Sequence, residues 1–470
     1  MSKHFKQLKG VSAAVLALTL AGCGSMAPDY QRPAAPVAST FPDAASSAAT
    51  ATAATAITWH QFFTDARLQA LITLALANNR DLRIAVLNIE QARAQFDIRR
   101  ADQWPTVNVG LSGSRVPTSA GGISSNYSAG VLVTAYELDL FGRVRSLGDA
   151  ALAQYLASEE ARRAAQISLV ATVANSYLAL QGDEELLRVT SETLLTREAS
   201  LRLIKLRFEQ GASSQLDLRQ AESLLESARV ALAQVTRQRA LDENALVLLL
   251  GQALPATLPA AVPITAAPRL PELAAGLPSD LLVRRPDIRQ AEQQLIAANA
   301  NIGAARAAFF PRITLTGSLG SASNALSGLF NAGSGAWSFA PQLLQPLFDA
   351  GRNQGNLQVA QVTRDIALAQ YERAIQSAFR EVADALAGRA TLGEQLRAQE
   401  ALVRAEQDRY RLADLRYRNG VASYLDALDA QRSLFAAQQA LVQVQAQYQQ
   451  LGVTLYRVLG GGWSAEGSAN

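Results

Sequence analysis

The chain has 470 residues, 49% hydrophobic but only 6% aromatic, which suits closely packed, alanine-rich helices more than a bulky core. Three of its 43 Lys and Arg lie in residues 1–22, leaving 40 against 40 Asp and Glu, so the charge gives no case for a nucleic-acid surface. One Cys and two His exclude disulfides and Cys/His metal sites. No nucleotide-binding motif or Ser/His/Asp set is present, so we expect no enzyme, catalytic site, metal or cofactor.

Residues 1–22 have the features of a processing signal. Lys3, Lys6 and Lys9 precede an apolar run of ten residues, which is too short to span a membrane. Small residues then lead to Cys23, and this pattern resembles a bacterial lipoprotein signal. The resemblance implies cleavage before Cys23, acylation of its thiol and new amino group, and, because Gly24 follows, sorting to the outer membrane. The alternative is a plain secretory signal with an incidental free cysteine.

Residues 23–57 are rich in Ala, Ser, Thr and Pro, which predicts an extended, poorly helical tether between the acylated Cys23 and the folded body. Packing is expected to begin at the aromatic stretch 59–63. Apolar residues then recur at helical spacing in two segments, which are separated by Asn78 and Asn79. The predicted inward positions are Leu68, Leu71, Ile72 and Ala75 in the first segment, and Leu82, Ala85, Ile89, Ala92 and Phe96 in the second.

After Pro105 the apolar period changes from 3.6 to 2, which predicts a β-hairpin at about 104–140. The alternation changes phase near Ala135, which indicates a bulge or a change of environment there. Strands of roughly ten residues have the length that a transmembrane β-strand requires. A long helical hairpin is predicted over 143–250, with its turn at Gly211, followed by a proline-rich linker at 251–280.

The second half repeats this order, with a hairpin at about 311–347, a helical hairpin at 351–459 and a tail at 461–470. Residues 58–250 and 281–460 are therefore predicted to be two copies of one structural unit. The two helical turns match residue for residue, each pair separated by 209 positions: Gly211 with Gly420, Ser214 with Ser423, Leu216 with Leu425, and Asp217 with Asp426.

Two hairpins give four strands, and four strands cannot close a barrel. Open sheet edges are not tolerated in lipid, so the strands must close with other copies of the chain. Three copies would give a trimeric barrel of twelve strands, within the usual range for outer-membrane barrels. The fold class expected is mainly α with a membrane β-barrel, which the long helices continue as a periplasmic helical barrel.

Short segments along nearly the whole mature chain resemble the TolC-type outer-membrane factors, in the lipoprotein (NodT-like) branch that serves multidrug efflux pumps. The segments are 27–30 (APDY), 78–85 (NNRDLRIA), 137–143 (ELDLFGR), 283–316 (from VRRPDIRQ to PRITLT), 346–352 (PLFDAGR) and 416–432 (RYRNGVASYLDALDAQR). The resemblance implies a passive exit duct in the outer membrane that extends into the periplasm. It also implies a homotrimer with an equatorial collar, a periplasmic adaptor protein, and an inner-membrane pump of the resistance-nodulation-division type.

The same resemblance implies a periplasmic gate at the two turns. Tyr417 and Arg418 would bond to the Asp217 region and hold the tip shut, although an exposed ion pair contributes only ~0–1 kcal/mol. The family's usual arginine two positions after Gly420 is Ala422 here, so part of that network would be absent. By the same resemblance the outer surfaces of the turns contact the adaptor, through Gly211, Ala212, Gly420 and Val421.

Asp426 and Asp429 are three residues apart, so they lie on one helix face. In a trimer they would form two stacked acidic rings that attract cations, with Leu425 as an apolar constriction beside them. The alternative for both carboxylates is simple compensation of the helix dipole.

Two other functions are compatible with parts of the sequence. A type I protein-secretion channel would have the same fold and would differ in its partner, an ABC exporter. A structural periplasmic coiled-coil lipoprotein would explain the helices but not the four alternating strands.

Overall fold

The structure, a computed structural model, describes residues 25–41, 52–53, 57–119, 121–268, 270–271, 273–274 and 282–461. Cys23, the signal segment and residues 462–470 lie outside the described residues. The helices are α1 Trp59–Phe62, α2 Ala66–Asn78, α3 Arg80–Ala101, α4 Arg143–Glu209, α5 Gln215–Leu250, α6 Pro286–Ala307, α7 Arg352–Arg418 and α8 Tyr424–Val458. The strands are β1 Thr52–Ala53, β2 Val107–Pro117, β3 Ile123–Leu138, β4 Leu273–Ala274, β5 Arg312–Ser323 and β6 Gly335–Leu344.

The described residues fall into two compact units. The sheet unit comprises residues within 1–34, 87–160 and 289–373, and the helical unit comprises those within 35–86, 161–288 and 374–470. No helix in the described part of the chain is both long and apolar enough to cross a membrane.

The sheet unit contains one antiparallel sheet with strand order β2-β3-β5-β6. Its register places Val109, Val131, Leu319 and Trp337 in a single row across all four strands. These side chains are exposed, Val109 by 86% of its surface, so one whole face of the sheet is apolar and uncovered in the single chain.

The opposite face is polar and concave. Ser112 and Ser128 share a hydrogen bond of 2.7 Å, as do Ser318 and Ser338, both across neighbouring strands. This face borders a hollow of about 440 Å³. The two faces therefore differ sharply in polarity, as the period-2 alternation predicted.

A row of small residues crosses the polar face, consisting of Gly110, Gly130, Gly320 and Ala336. A Cβ on Gly130 would lie 2.4 Å from the Leu319 carbonyl oxygen, which is closer than real Cβ atoms come. Glycine is therefore required for the close approach of β3 and β5 at this row, and glycines at such positions let a sheet curve.

The bulge predicted near Ala135 is confirmed. The register between β3 and β5 shifts between Val133 and Tyr136, and Ala135 has a φ of 49°. Its N–H donates to the Thr316 hydroxyl at 3.2 Å, which keeps the displaced backbone group hydrogen-bonded.

At the end of β3 nearest α4, an ion-pair network joins strands to helix. Glu137 accepts two hydrogen bonds from Arg143, both of 2.7 Å, and also pairs with Arg312 at 2.7 Å. Phe141 stacks on Phe310 with ring centroids 4.8 Å apart.

The helical unit has an aromatic and aliphatic core. Phe62 stacks on Tyr456 with centroids 4.0 Å apart, and Phe63 packs edge-on against both. The four inward positions predicted for α2 are all buried, which confirms that face. Asn79 separates α2 from α3 as predicted: its side-chain oxygen accepts from the Leu82 N–H at 2.9 Å, as a helix cap does.

The five inward positions predicted for α3 are only partly buried, and no residue of α3 is fully buried in the single chain. In the helical unit, the proline-rich region carries the short strand β4, which pairs in parallel with β1. The sequence did not predict that pairing, because two-residue strands leave no periodic pattern.

Candidate functional site

The two helical turns, both in the helical unit, have the same backbone structure. Gly211 has a φ of 73° and Gly420 a φ of 72°, in the left-handed region that glycine adopts without strain. The N–H of the following residue, Ala212 or Val421, donates to the carbonyl five residues earlier, at 2.7 and 3.0 Å. This is the Schellman arrangement that ends a helix, and it leaves all four of these residues exposed at the turn surfaces.

Serine caps start both returning helices. Ser214 and Asp217 form a reciprocal capping box, with both hydrogen bonds 3.1 Å long, and the Ser423 hydroxyl accepts from the Asp426 N–H at 3.4 Å. Burial alone would raise the pKa of Asp217, but hydrogen bonds from Ser214 and Ser213 hold the pKa below its usual value. The Asp217 carboxylate is therefore ionised and already engaged by its own turn.

The ends of four helices pack together behind the turns, so the two turns lie in one cluster of α4, α5, α7 and α8. Partly buried Leu201, Leu218 and Tyr417 surround its centre. The buried members of the cluster are Ile204, Ala221, Leu224, Tyr424 and Leu428.

Tyr417 connects the end of α4 to the start of α8. The Arg207 guanidinium lies 4.8 Å from the centroid of its ring, within the range of a cation–π interaction. The Tyr424 ring lies 5.4 Å away on the other side. Burial, with the nearby Tyr417 and Asp217, raises the pKa of Tyr424 to about 12, so this phenol stays neutral.

The residues of the predicted latch have other partners within the single chain. Arg418 pairs with Asp414, one turn earlier on α7, at 2.8 Å. Asp217 is bonded by Ser213 and Ser214. Among the described contacts, none joins Tyr417 or Arg418 to Asp217.

Leu425, Asp426 and Asp429 lie together on the exposed face of α8, next to the turn. Arg432 continues this face and approaches Asp429 at 3.8 Å, where both side chains are about half exposed. The carboxylates thus point away from the packed core of the single chain, as an acidic ring requires. The buried positions on the other face are Tyr424, Ala427 and Leu428.

A cavity of about 130 Å³ lies next to Tyr417 and Arg418 and is large enough for a few water molecules. Tyr410, Tyr417 and Tyr424 line it, together with Gln431, whose side-chain nitrogen is buried without a hydrogen-bond partner. The sequence analysis missed Tyr410 and Tyr424. Tyr410 and Tyr417 are seven residues apart on α7 and so share one helix face, whereas Tyr424 comes from α8, beyond the turn.

Arg197 is a second residue that the sequence analysis missed. Its side chain is buried on α4 and donates to the Leu224 carbonyl at 2.8 Å and the Ser227 hydroxyl at 2.9 Å, both on α5. It also lies 5.1 Å from the Phe435 ring of α8. Burial and the nearby Arg432 lower its pKa. Arg197 therefore links three helices close to the turns, a role with no local sequence signal.

Within the described residues, no group of three or more His, Cys, Asp or Glu side chains is arranged to hold a metal ion. The candidate site consists instead of the paired turns, the exposed acidic face and the tyrosine-lined cavity.

Comparisons with known proteins agree on one family. The model of the family described as "Outer membrane efflux protein" matches residues 71–252 and 277–461. The chain is 51% identical over 471 residues to the probable efflux pump outer membrane protein TtgC of Pseudomonas putida, covering 98% of this chain and 97% of that protein. It is 49% identical over 466 residues to the outer membrane protein OprJ of Pseudomonas aeruginosa, covering 97% and 96%.

The fold is also shared with a solved structure. The open state of the Neisseria gonorrhoeae MtrE outer membrane channel matches with a TM-score of 0.86 at 42% identity, over 93% of this chain and 98% of that one. With the family model matching most of the sequence and full-length relatives near 50% identity, the chain belongs to the outer membrane efflux protein family, whose members are channels of the outer membrane.

Proposed function

We propose that three copies of this chain form the exit duct of a tripartite efflux pump, which carries drugs or other small molecules through the outer membrane. The observation that carries the proposal is the four-stranded sheet, with one apolar face, one polar face and two unpaired edges. The names of the relatives, which are outer membrane proteins of efflux pumps, support the transport role. A channel of this kind performs no chemistry of its own, and we propose that the chain is not an enzyme.

The two edges of the sheet are suited to pairing between copies. The strands alternate in direction, so β2 and β6 at the two edges run antiparallel to each other. The β6 strand of one copy can therefore extend the ladder of the next copy through β2. Three copies give a closed barrel of twelve strands, with the apolar row on the lipid side and the serines on the lumen side.

The long helices also expose apolar side chains that need a neighbour. Val359, Val362 and Ile366 on α7 are each about half exposed or more, at spacings that place them on one side of the helix. At ~1.5 Å per residue, a helix of 67 residues is on the order of 100 Å long. We propose that such helices pack side by side in the trimer as a periplasmic tube, and that the two halves of the chain are structural repeats.

At the turns we propose a cation-attracting gate. In a trimer, Asp426 and Asp429 would supply six carboxylates in two rings, next to an apolar ring of Leu425. Tyr417 and Arg418 of one copy would bond to the Asp217 region of a neighbouring copy when the tip is closed. The MtrE relative was solved in an open state, which supports a tip that can change conformation.

Partner contacts follow from the same geometry. We propose that the exposed turn residues Gly211, Ala212, Gly420 and Val421 meet the hairpin ends of a periplasmic adaptor, which joins the duct to an inner-membrane pump of the resistance-nodulation-division type. We also propose that residues 1–22 are removed and that acylated Cys23 adds a lipid anchor in the outer membrane.

Single-channel conductance of the purified trimer in lipid bilayers tests the proposal. We expect low wild-type conductance that is blocked by millimolar divalent cations. In Asp426→Asn/Asp429→Asn the half-blocking concentration should rise about tenfold or more, the effect of roughly 1.4 kcal/mol of lost attraction. Asp408→Asn is the matched control, since Asp408 is an exposed carboxylate on α7 away from the acidic face.

Block that survives in the double variant would place the constriction elsewhere. If the assembled wild type conducts no ions, Tyr417→Phe with Arg418→Ser should open it. A duct that stays silent in that variant would contradict the proposed function.

A further inference from the structure

The tyrosine-lined cavity beside the two helical turns has the features of a binding site. It lies within the helical unit, is lined by residues of α4, α7 and α8, and has a volume of about 130 Å³. Its floor is buried, since Ile204 and Leu428 are each 1% exposed and Gln431 is 7% exposed. Its mouth carries the exposed residues Thr196 and Ala199. A small molecule can therefore enter at the mouth and be enclosed at the floor.

A polar group in the floor lacks a partner. The side-chain nitrogen of Gln431 is buried and makes no hydrogen bond. The hydroxyls of Tyr410, Tyr417 and Tyr424 likewise take part in no described hydrogen bond. A buried donor without a partner destabilises a folded chain, so it gains most from a ligand that brings an acceptor atom to it. The floor therefore favours a ligand with an accepting oxygen.

The lining of the cavity favours a neutral ligand. The charged side chains in the described lining are Asp414 and Arg418, which pair at 2.8 Å and so offset each other. Burial, with the nearby Tyr417 and Asp217, raises the pKa of Tyr424 to about 12, and burial, with Asp414, raises the pKa of Tyr410. Both phenols are therefore neutral at physiological pH. An ion that entered would lose its hydration without meeting an unpaired opposite charge.

The volume of the cavity sets the size of the ligand. An apolar cavity of about 150 Å³ accepts benzene, so a cavity of about 130 Å³ suits a molecule with one six-membered ring. Water is the competing occupant, because it fills polar cavities of this size. Aromatic and aliphatic walls offer water few hydrogen-bond partners, whereas they pack well against a ring.

We propose that this cavity binds a small neutral aromatic molecule with an accepting oxygen, of which phenol is the simplest example. The ring packs against the Tyr424 ring and the aliphatic floor, and its oxygen accepts a hydrogen bond from the Gln431 side-chain nitrogen. Because residues of three helices line the cavity, the ligand holds α4, α7 and α8 in their described arrangement.

Binding also opposes the proposed latch. In the described arrangement Arg418, which lines the cavity, pairs with Asp414 of its own helix. In the proposed latch the same arginine bonds to a neighbouring copy instead. A ligand that fits the described arrangement stabilises it by mass action, so we expect the ligand to favour the unlatched tip. This effect rests on the proposed gate, whereas the binding itself does not.

Equilibrium dialysis of radiolabelled phenol tests the binding. Full-length protein in detergent, dialysed against a matched micelle solution, should bind one phenol per chain in a saturable manner. Gln431→Met keeps the length of the side chain but removes the donor, so the Kd should rise about tenfold. Gln438→Met, about two turns further along α8 and outside the cavity lining, should bind as the wild type does. Toluene, which has the size of phenol but no oxygen, should compete about tenfold less well.

Thermal unfolding and a second variant separate lost binding from misfolding. Gln431→Met should be at least as stable as the wild type, because it removes an unsatisfied buried donor. Ala199→Phe fills the mouth from an exposed position and should abolish phenol binding. Wild-type uptake equal to that of the micelle solution would mean that water alone fills the cavity, and would overturn the proposal. Unaltered affinity in both Gln431→Met and Ala199→Phe would overturn it as well.

Single-channel recording tests the effect on the tip. Phenol should raise the mean wild-type conductance, with half of the full effect at the Kd found by dialysis, and Gln431→Met should need about tenfold more phenol. Saturable binding without any change in a conducting channel would overturn the effect on the latch, while dialysis decides the site by itself. Protein that binds phenol but conducts under no condition would contradict the proposed function instead.

Discussion

At the scale of single residues, Asp183 has the most unusual environment in the helical unit. It lies on α4, is buried close to Asp242 of α5, and has one carboxylate oxygen without a hydrogen-bond partner. Burial, followed by Asp242, raises its pKa to about 7, against the opposing effect of Arg239. Near neutral pH, the carboxyl group of Asp183 is therefore only partly ionised.

We predict that Asp183→Asn stabilises the protein at high pH only. The folded pKa of about 7 lies well above the usual pKa of an aspartate, so the free energy of folding becomes less favourable as pH rises through this window. Asn keeps a donor for Asp242 without the charge, so at pH 8 the variant should gain about 1–3 kcal/mol, the cost of an unsatisfied buried polar group. The gain should vanish towards pH 4.

Thermal unfolding in detergent at pH 5 and pH 8 measures this difference. The exposed Glu192→Gln on the same helix is the control and should show no pH-dependent gain. An Asp183→Asn effect of equal size at both pH values would contradict the raised pKa.

At the scale of elements, the sequence was most informative where the signal is local. The long helices, the left-handed glycines at the turns and the serine caps depend on residues within one turn of each other, and all are present. The bulge at Ala135 was visible because it reverses the alternation of a whole strand. The pairing of β1 with β4 and the ion pair between Arg32 and Glu292 join positions more than 200 residues apart, and no local pattern encodes them.

The arrangement of residues around the two helical turns was predicted unevenly for the same reason. The exposure of Asp426 and Asp429 follows from their spacing on one helix face. The contacts of Arg197 and Tyr417 depend on how four helix ends pack, which spacing along one helix does not determine. The proposed contacts between copies depend in addition on how the copies assemble, which spacing along one helix does not determine either.

We predict the register with which copies pair in the barrel. Within the chain, Val133 lies opposite Gly317. Leu343 corresponds to Val133 in the second hairpin. Val133 pairs with the residue three positions after Trp104, and Leu343 pairs with the residue three positions after Phe310. Leu111 corresponds to Gly317, because Leu111 lies seven residues after Trp104 and Gly317 lies seven residues after Phe310. If β6 pairs with the next copy's β2 as β3 pairs with β5, Leu343 lies opposite Leu111.

The same register aligns the apolar faces of the two copies, which supports it independently. Leu343→Cys with Leu111→Cys should therefore give an intermolecular disulfide in most of the purified protein. Leu343→Cys with Val109→Cys, on the same face but two residues away, should cross-link weakly, since such diagonal neighbours are about 7–8 Å apart. A stronger link in the second pair would require a shifted register.

At the scale of the whole molecule, the loop after β6 is the most exposed apolar segment next to the edge of the sheet. Leu347 is 94% exposed and Phe348 is 90% exposed, at the end of an unpaired edge strand. Adjacent large apolar residues with this exposure are typical of a subunit interface. The exposed Trp104 lies just before β2, at the same end of the opposite edge, and is a suitable partner on the next copy.

We predict that Phe348→Ser weakens the assembly without unfolding the chain. Burial of a Phe side chain contributes about 1.5–3 kcal/mol, and the loss would occur three times in a trimer. The temperature at which the assembly dissociates in gel electrophoresis should fall clearly. Phe330→Ser is the matched control, because this Phe is 79% exposed in the loop between β5 and β6, at the other end of the sheet. Equal effects of the two substitutions would contradict the assignment.

The glycine row of the sheet has a consequence for stoichiometry. In a ring of three, each copy must curve its four strands through a third of a circle, and the close approach at Gly130 and Gly320 sets how tightly they can turn. A side chain at that row would force the strands apart and widen the arc of each copy. The lack of a side chain at Gly130 and Gly320 would then help to determine how many chains close the ring, and so the width of the passage.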